Sequence, residues 1–193
     1  MDYSLIIKTL NEEGKVVALL TDTVYGLVCN AFDKKATEKI YQIKKRESKK
    51  PLSIFVKDIS EVPKYVDESN LTKEADRIMK KYWPGALTIV FKKKDNSLDH
   101  ITEKSSGIGI RIPKDTDLLY ILSKIDFPLA QTSCNISGEE VYRDAESIRN
   151  NFGSLVDLVI DGGTVGDNLP STVLSMECNE AIILRVGALK LDV

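Results

Sequence analysis

Apolar residues recur along this chain at two spacings, and the spacing separates helices from strands. Leu5, Ile6, Ile7 and Leu10 fall at near-helical intervals ahead of Gly14, so 3–13 reads as a helix. Val16 to Leu20 is an unbroken apolar run of strand length, and Thr21 to Gly26 reads as the loop that leaves it. Asp33 is placed to cap a helix from Lys34 to about Arg46, with Ala36, Ile40, Tyr41 and Ile43 on its apolar side. Leu52 to Lys57 reads as a strand. Leu71 to Tyr82 reads as an amphipathic helix broken by Trp83-Pro84-Gly85, and Ala86 to Lys92 as the next strand. Gly107 to Ile112 alternates strictly, as a strand does. Asp115 to Ile125 is helical, Pro128 to Thr132 is a short buried strand, and Ser133 to Gly138 is polar loop. A helix over Asp144 to Phe152 precedes three strands, Leu155 to Ile160, Ser171 to Met176 and Ala181 to Val186. Helices and strands intermix and the late segments are strand-rich. The expected fold is α/β: a twisted, mixed, largely antiparallel sheet with flanking helices, in one domain over 1–193.

Composition narrows the chemistry. The chain has 193 residues, a formal net charge of −2 and a 42% hydrophobic content, enough for one sizeable core. A general nucleic-acid binder would be basic throughout. No apolar run approaches the roughly 20 residues that span a bilayer, and the first residues lack the cationic and apolar regions of a leader. A soluble cytoplasmic protein with no membrane partner is the expectation. Cys29, Cys134 and Cys178 are few, far apart and without a CxxC pair, which disfavours a disulfide framework or a zinc site. His100 is the single histidine and sits in a loop-like stretch, so neither a Ser-His-Asp triad nor a multi-histidine metal site is expected. The Gly-rich nucleotide fingerprints GxxxxGK[ST] and helix-opening GxGxxG are absent. Any catalysis must then run on cations, hydroxyls, backbone amides and Mg²⁺.

Against that acidic background, Lys44 to Lys50 packs five cations with one anion, just before Pro51. A solvated helix face mixes signs, because like charges repel. This local excess points to an anionic ligand, phosphate first. Lys50 should be extended because it precedes proline, so the helix should run into a loop there.

Several strands deliver a polar set at one end: Thr21-Asp22-Thr23, Gln131-Thr132-Ser133, Ser171-Thr172 and Arg185. Arg111 is the most telling. In its alternating strand it shares a face with Gly107 and Gly109, opposite Ile108, Ile110 and Ile112. It therefore crosses a surface poor in side chains, which suits a charged ligand better than a core. Arg46, Lys50, Arg111 and Arg185 together could hold an anion-rich set of substrates.

Seven motifs, in order, resemble the YrdC-type threonylcarbamoyl-AMP synthase family in its short form. They are Thr21-Asp-Thr-Val-Tyr-Gly-Leu27, Lys44-Lys-Arg46 with Pro51-Leu52, Trp83-Pro-Gly-Ala-Leu-Thr88, Gly109-Ile-Arg-Ile-Pro113, Ser133-Cys-Asn-Ile-Ser-Gly138, Pro170-Ser-Thr-Val173 and Leu184-Arg-Val-Gly187. The resemblance implies a YrdC-like fold and a nucleotidyltransferase that joins L-threonine, bicarbonate and ATP, with Mg²⁺, into threonylcarbamoyl-AMP and pyrophosphate. The product would feed N6-threonylcarbamoyladenosine modification of tRNA by a separate transferase complex.

By motif matching, Lys44 and Arg46 would be catalytic and meet phosphates and carbamate. Thr23, Phe55, Arg111, Gln131 and Ser171 would form the threonine site. Arg46, Lys50, Gly107, Ser133, Asn135, Val141 and Arg185 would hold ATP, with Tyr25 as a wall. The chain departs from the family pattern at Leu20 for Pro, Phe55 for His, Gln131-Thr132 for Ala-Pro, Gly107 for Thr and Val141 for Ser. The competing reading is an RNA-binding YrdC-like paralogue without synthase activity, with tRNA or double-stranded RNA on a basic surface to which Lys92-Lys93-Lys94 would add.

Overall fold

A nine-stranded sheet organises the chain. The structure is a computed structural model that describes residues 2–45 and 50–192. Its strands are β1 (Val17–Leu20), β2 (Tyr25–Asn30), β3 (Ser53–Phe55), β4 (Leu87–Lys92), β5 (Gly107–Arg111), β6 (Leu129–Ser133), β7 (Leu158–Val159), β8 (Thr172–Ser175) and β9 (Ile182–Arg185). They lie in the order β7-β1-β2-β6-β3-β5-β4-β8-β9. β1/β7, β3/β5 and β4/β8 pair parallel and the other five pairs antiparallel, so the mixed, largely antiparallel sheet is as expected.

Alternation along the strands sorts the side chains to two faces. One face presents Ala18, Leu27, Ile54, Leu87, Ile89, Ile108, Ile110, Ala130 and Leu174. It is buried against a large apolar core that also takes in Ile40 and Ile43 of α2 (Lys34–Ile43), Ala75 and Ile78 of α3 (Lys73–Tyr82) and Ile148 of α6 (Ala145–Phe152). The opposite face is divided. At one end Val17, Leu19, Val28, Phe55 and Leu129 form a second core with Ile6 and Leu10 of α1 (Tyr3–Asn11) and Leu118, Ile121 and Leu122 of α5 (Thr116–Ser123). At the other end the same face carries Gly26, Ser53, Gly107, Gly109, Gln131 and Ser133, with none of the described helices over it, and this bare half is the floor of a pocket. Small and polar residues on one stretch of a sheet leave nothing to bury, so the helices cover only the apolar stretch.

Side-chain caps fix the helix starts, and Asp33 accepts from the Ala36 amide at 3.0 Å as expected. Asp2, Thr72, Asp115 and Asp144 do the same for α1, α3, α5 and α6. Several boundaries differ from the sequence reading. α2 closes at Ile43, with Lys45 in the left-handed region, and Arg46 to Lys49 lie outside the described residues. The sequence pattern puts the first two residues of β2 in a loop and marks no strand beyond them, because the residues of β2 are buried on both sides and lack alternation. His100 is not in a loop. It belongs to a one-turn helix, α4 (Asp99–Thr102), and its Nε2 lies 2.8 Å from the Ala31 carbonyl. The strand expected over 155–160 is reduced to β7 by a 3-10 turn at Gly153–Leu155. Ser133 ends β6 rather than opening a loop.

No described helix is long and apolar enough to cross a membrane.

Candidate active site

The pocket over the bare half of the sheet has a volume of about 490 Å³. Its floor follows from register. Ser53 lies between Gly109 and Gln131, Gly109 opposite Val90, and Gly26 opposite Ser133. A Cβ on Gly109 would come within 3.0 Å of Ser53 Cβ and 3.3 Å of Thr88 Cγ2, so the floor stays low because these positions are glycine.

Arg111 occupies the wall. It is buried, and three fixed acceptors aim it: Nε donates to the Gly85 carbonyl at 3.0 Å, Nη1 to Thr23 Oγ1 at 3.2 Å and Nη2 to Asp22 Oδ1 at 2.6 Å. Burial pushes the guanidinium below its ordinary pKa and Asp22 pulls it back up, and the group remains a cation. The loop between β1 and β2 makes this possible. Thr21 Oγ1 donates to the Val24 carbonyl at 2.7 Å and accepts from the amides of Thr23 and Val24, which folds the loop so that Thr23 and Asp22 meet the arginine. The Trp83-Pro-Gly motif contributes by placing the Gly85 carbonyl, while Trp83 Nε1 is tied to the Leu87 carbonyl at 2.7 Å.

Ser171 directly precedes β8, and Arg185 ends β9 at the sheet's edge. Ser171 Oγ lies 2.9 Å from Thr88 Oγ1, and Arg185 Nη2 donates to the Ser171 carbonyl at 2.8 Å. Burial lowers the Arg185 pKa. Gln131 Nε2 donates to Ser53 Oγ on the floor. Tyr25 lines the pocket as expected and is also a pillar: its hydroxyl donates to Gly163 O at 2.8 Å and accepts from Gly162 N at 2.9 Å.

The structure brings together Thr23, Arg111, Gln131, Ser171, Gly107, Ser133 and Arg185 around one cavity. Lys50 is exposed and directly precedes Pro51, which lines it. Arg46 lies outside the described residues. Four positions, Phe55, Val141, Lys44 and Asn135, differ from the expectation. Phe55 is wholly buried in the core beneath α1 and α5 and does not line the pocket; its ring faces Arg111 from below at 5.7 Å, so the apolar side chain follows the apolar half of the face. Val141 borders a neighbouring small cleft with Tyr142, Arg143 and Val165, not the main pocket. Lys44 is buried under the site rather than in its wall. Its Nζ donates to Ser133 O at 2.6 Å, Asn135 O at 2.9 Å and Asn135 Oδ1 at 2.8 Å. Asn135 in turn accepts from Ser133 Oγ at 2.8 Å and donates to Glu139 O at 2.7 Å, so it too braces the loop.

The sequence reading missed Asp22, Ser53, Thr88, Gly85 and Glu177. Asp22, Gly85 and Thr88 lie inside quoted motifs that give them no role; only the fold reveals Ser53 and Glu177. The Lys92-Lys93-Lys94 run is tied to the protein itself: Lys92 pairs with Asp67 at 3.8 Å, Lys93 with Asp99, and Lys94 donates to the Pro63 carbonyl at 3.2 Å. Among the described residues no group of three or more His, Cys, Asp or Glu could hold a metal ion.

Fold and pocket define an α/β protein with a pocket on an uncovered stretch of sheet, walled by fixed guanidinium groups and hydroxyls. The profile of the Sua5/YciO/YrdC family, described as telomere recombination, matches residues 9–187, and the chain belongs to that family. It is 41% identical over 179 residues to a Methanocaldococcus jannaschii protein provisionally named threonylcarbamoyl-AMP synthase, covering 93% of this chain and 83% of that one. It is 34% identical over 181 residues to the threonylcarbamoyl-AMP synthase of Bacillus subtilis, covering 93% of this chain but only 52% of the relative. Among solved structures, P. abyssi Sua5 complexed with L-threonine superposes with a TM-score of 0.88 at 30% identity, over 96% of this chain and 54% of that one. E. coli YciO, of similar length, gives 0.86 at 27% identity over 98% and 91%. The chain thus spans about half the length of the B. subtilis and P. abyssi relatives.

Proposed function

We propose that this chain is an L-threonylcarbamoyladenylate synthase, making threonylcarbamoyl-AMP and pyrophosphate from L-threonine, bicarbonate and ATP for tRNA modification. One observation carries the reading: a buried arginine, aimed by three acceptors, faces a glycine-floored pocket in a chain whose relatives bear this name. That a relative has been solved with L-threonine supports the amino acid as the occupant of this pocket.

In the proposed reaction the threonine amine attacks the bicarbonate carbon, water leaves, and a carbamate forms. A carbamate oxygen then attacks the α-phosphorus of ATP, and the bond to pyrophosphate breaks. All the partners are anionic when assembled, so the protein's task is to hold them together against repulsion. Arg111 pairs with the threonine carboxylate end-on, since Gly85, Thr23 and Asp22 take its other donors. Ser171 and Gln131 hold the remainder of the amino acid, while Arg185 and Ser133 face the nucleotide. Lys44 acts from beneath by fixing the segment Ser133 to Asn135. Mg²⁺ would arrive on the ATP phosphates and screen their charge. The hydroxyls and carboxylate of the wall (Ser105, Ser106, Glu177) are hard oxygen donors that suit it.

The test is threonine-dependent pyrophosphate release from ATP in the presence of bicarbonate and Mg²⁺. Release should vanish when threonine or bicarbonate is omitted. A folded protein that releases none sinks the proposal, and RNA binding that falls steeply with salt, without release, would favour the RNA-binding reading.

A further inference from the structure

Glu177 enters the site above only as one of the wall oxygens that suit Mg²⁺. It follows β8 in the turn toward β9, and its carboxylate lies against the pocket floor over Gly107. A Cβ at position 107 would stand 2.8 Å from both Cδ and Oε1 of Glu177, so glycine there lets the carboxylate lie in this position. Ser106 Oγ donates to Oε1 at 2.8 Å. The turn is held in place from below: buried Asn70 donates from Nδ2 to the Glu177 carbonyl at 3.2 Å and to Asn179 Oδ1 at 2.7 Å, and its Oδ1 accepts from the Lys92 amide. The carboxylate is thus presented on a fixed support.

An ionised carboxylate accepts at about four positions, and the hydroxyl of Ser106 fills one. A bare triphosphate brought against it would be repelled. Hard carboxylate oxygen together with substrate phosphate is the usual way proteins hold Mg²⁺, without an all-protein cage. The place in the pocket agrees. Gly107 lies four residues before Arg111 on β5, about 13 Å along the strand, and about two strand spacings, roughly 10 Å, from Ser133 across β3. A nucleotide held at Ser133, with its α-phosphorus turned toward an amino acid at Arg111, leaves the Gly107 side for the phosphates that depart.

We propose that Glu177 binds the Mg²⁺ carried by the β- and γ-phosphates of a nucleoside triphosphate, which makes the Gly107 end of the pocket the pyrophosphate end. This inference rests on the nucleotide reading given above.

Calorimetric binding of α,β-methylene-ATP, without threonine, tests it in wild type and Glu177→Gln, each with Mg²⁺ and with EDTA. Wild type should bind on the order of tenfold more tightly with Mg²⁺. Glu177→Gln should lose that enhancement and bind the metal-free nucleotide more tightly than wild type does, since the repulsion is gone. Glu177→Asp, one methylene shorter, should keep part of the enhancement and guards against a folding defect. Full enhancement in a folded Glu177→Gln overturns the inference. So does a variant that keeps the enhancement but no longer prefers ATP over 2′-deoxy-ATP, which would place the ribose at Glu177. Absence of nucleotide binding by wild type in either condition overturns the nucleotide reading itself, and the two failures are therefore distinct.

Discussion

Asp22 Oδ1 lies 2.6 Å from Arg111 Nη2, with both side chains largely shielded from water, so the cation of the pocket wall is paired within the protein. Removing one partner from such a pair leaves a buried charge uncompensated, which costs about 3–5 kcal/mol. Asp22→Asn should lower thermal stability and loosen the guanidinium. The apparent KM for threonine should rise on the order of tenfold, which is about 1.4 kcal/mol, with a smaller change for ATP. Asp22→Glu should restore part of the threonine KM. Steady-state kinetics with each substrate varied in turn will check this. An effect on ATP alone would mean that Arg111 serves the nucleotide.

Lys44 offers a separation between touching substrate and supporting the site. Three acceptors from Ser133 and Asn135 surround its ammonium, and hydrogen bonds to a charged group contribute about 1.5–3 kcal/mol each. Lys44→Met should therefore lose activity and melting temperature together, by about 3 kcal/mol or more of stability. A variant with native melting behaviour and a lost nucleotide affinity would instead put the ammonium on a phosphate.

Much of this was legible beforehand, and the exceptions have physical causes. Gly107-Ile-Gly-Ile-Arg111 alone told which face of β5 is bare and that its arginine crosses it, because period-two alternation fixes sidedness. What alternation does not encode is which half of a face a helix will cover. Phe55 and Ser53 share one face of β3, yet Ser53 is pocket floor and Phe55 is core under α1 and α5. β2 escaped because Tyr25, Leu27 and Cys29 are buried on one side while Gly26 and Val28 are buried on the other, leaving no polar positions to mark the period. Glu177 reaches Gly107 only through the pairings of β5 with β4 and of β4 with β8, which join segments far apart in sequence.

Asp157 sets an acid limit on one corner of the fold. Burial pushes its carboxyl up, but Lys39 at 2.6 Å, the Val16 amide at 2.9 Å and Lys15 at 3.3 Å together hold it below its ordinary value of 3.8. A depressed folded pKa gives stability that is present above the unfolded pKa and is lost as pH falls through the folded one. Because the pair is partly solvated, the contribution should be about 1 kcal/mol. Urea unfolding of wild type and Asp157→Asn should differ by that amount near neutrality and converge as pH falls through the lowered carboxyl pKa.

The cysteines should divide by burial. Cys29 and Cys134 are buried and Cys178 is exposed. Burial pushes the Cys134 thiol up to about 12 despite nearby Lys44, so it stays protonated and unreactive. Iodoacetamide on the native protein at about pH 8 should give one adduct, mapped to Cys178 by peptide mass analysis. Modification of Cys134 without unfolding would mean that the loop above Lys44 opens.

Gly187 links the last motif to the pocket. A Cβ there would stand 2.2 Å from the Pro170 carbonyl oxygen and 2.5 Å from the Ser171 carbonyl carbon, and the Gly187 amide donates to Thr172 Oγ1 at 3.0 Å. The backbone that carries Ser171 therefore rests directly on this glycine, and the Ser171 carbonyl is what receives Arg185. Gly187→Ala must push that segment away, an overpacking cost of about 1–3 kcal/mol. It should raise the threonine KM and weaken nucleotide binding together, because Ser171 and Arg185 move as a unit. Ala188→Gly, one residue on at an exposed position, should leave both constants unchanged. Kinetics on the pair will decide whether the glycine sets the site or only the stability, since a Gly187→Ala protein that melts early yet keeps both wild-type constants would confine its role to packing.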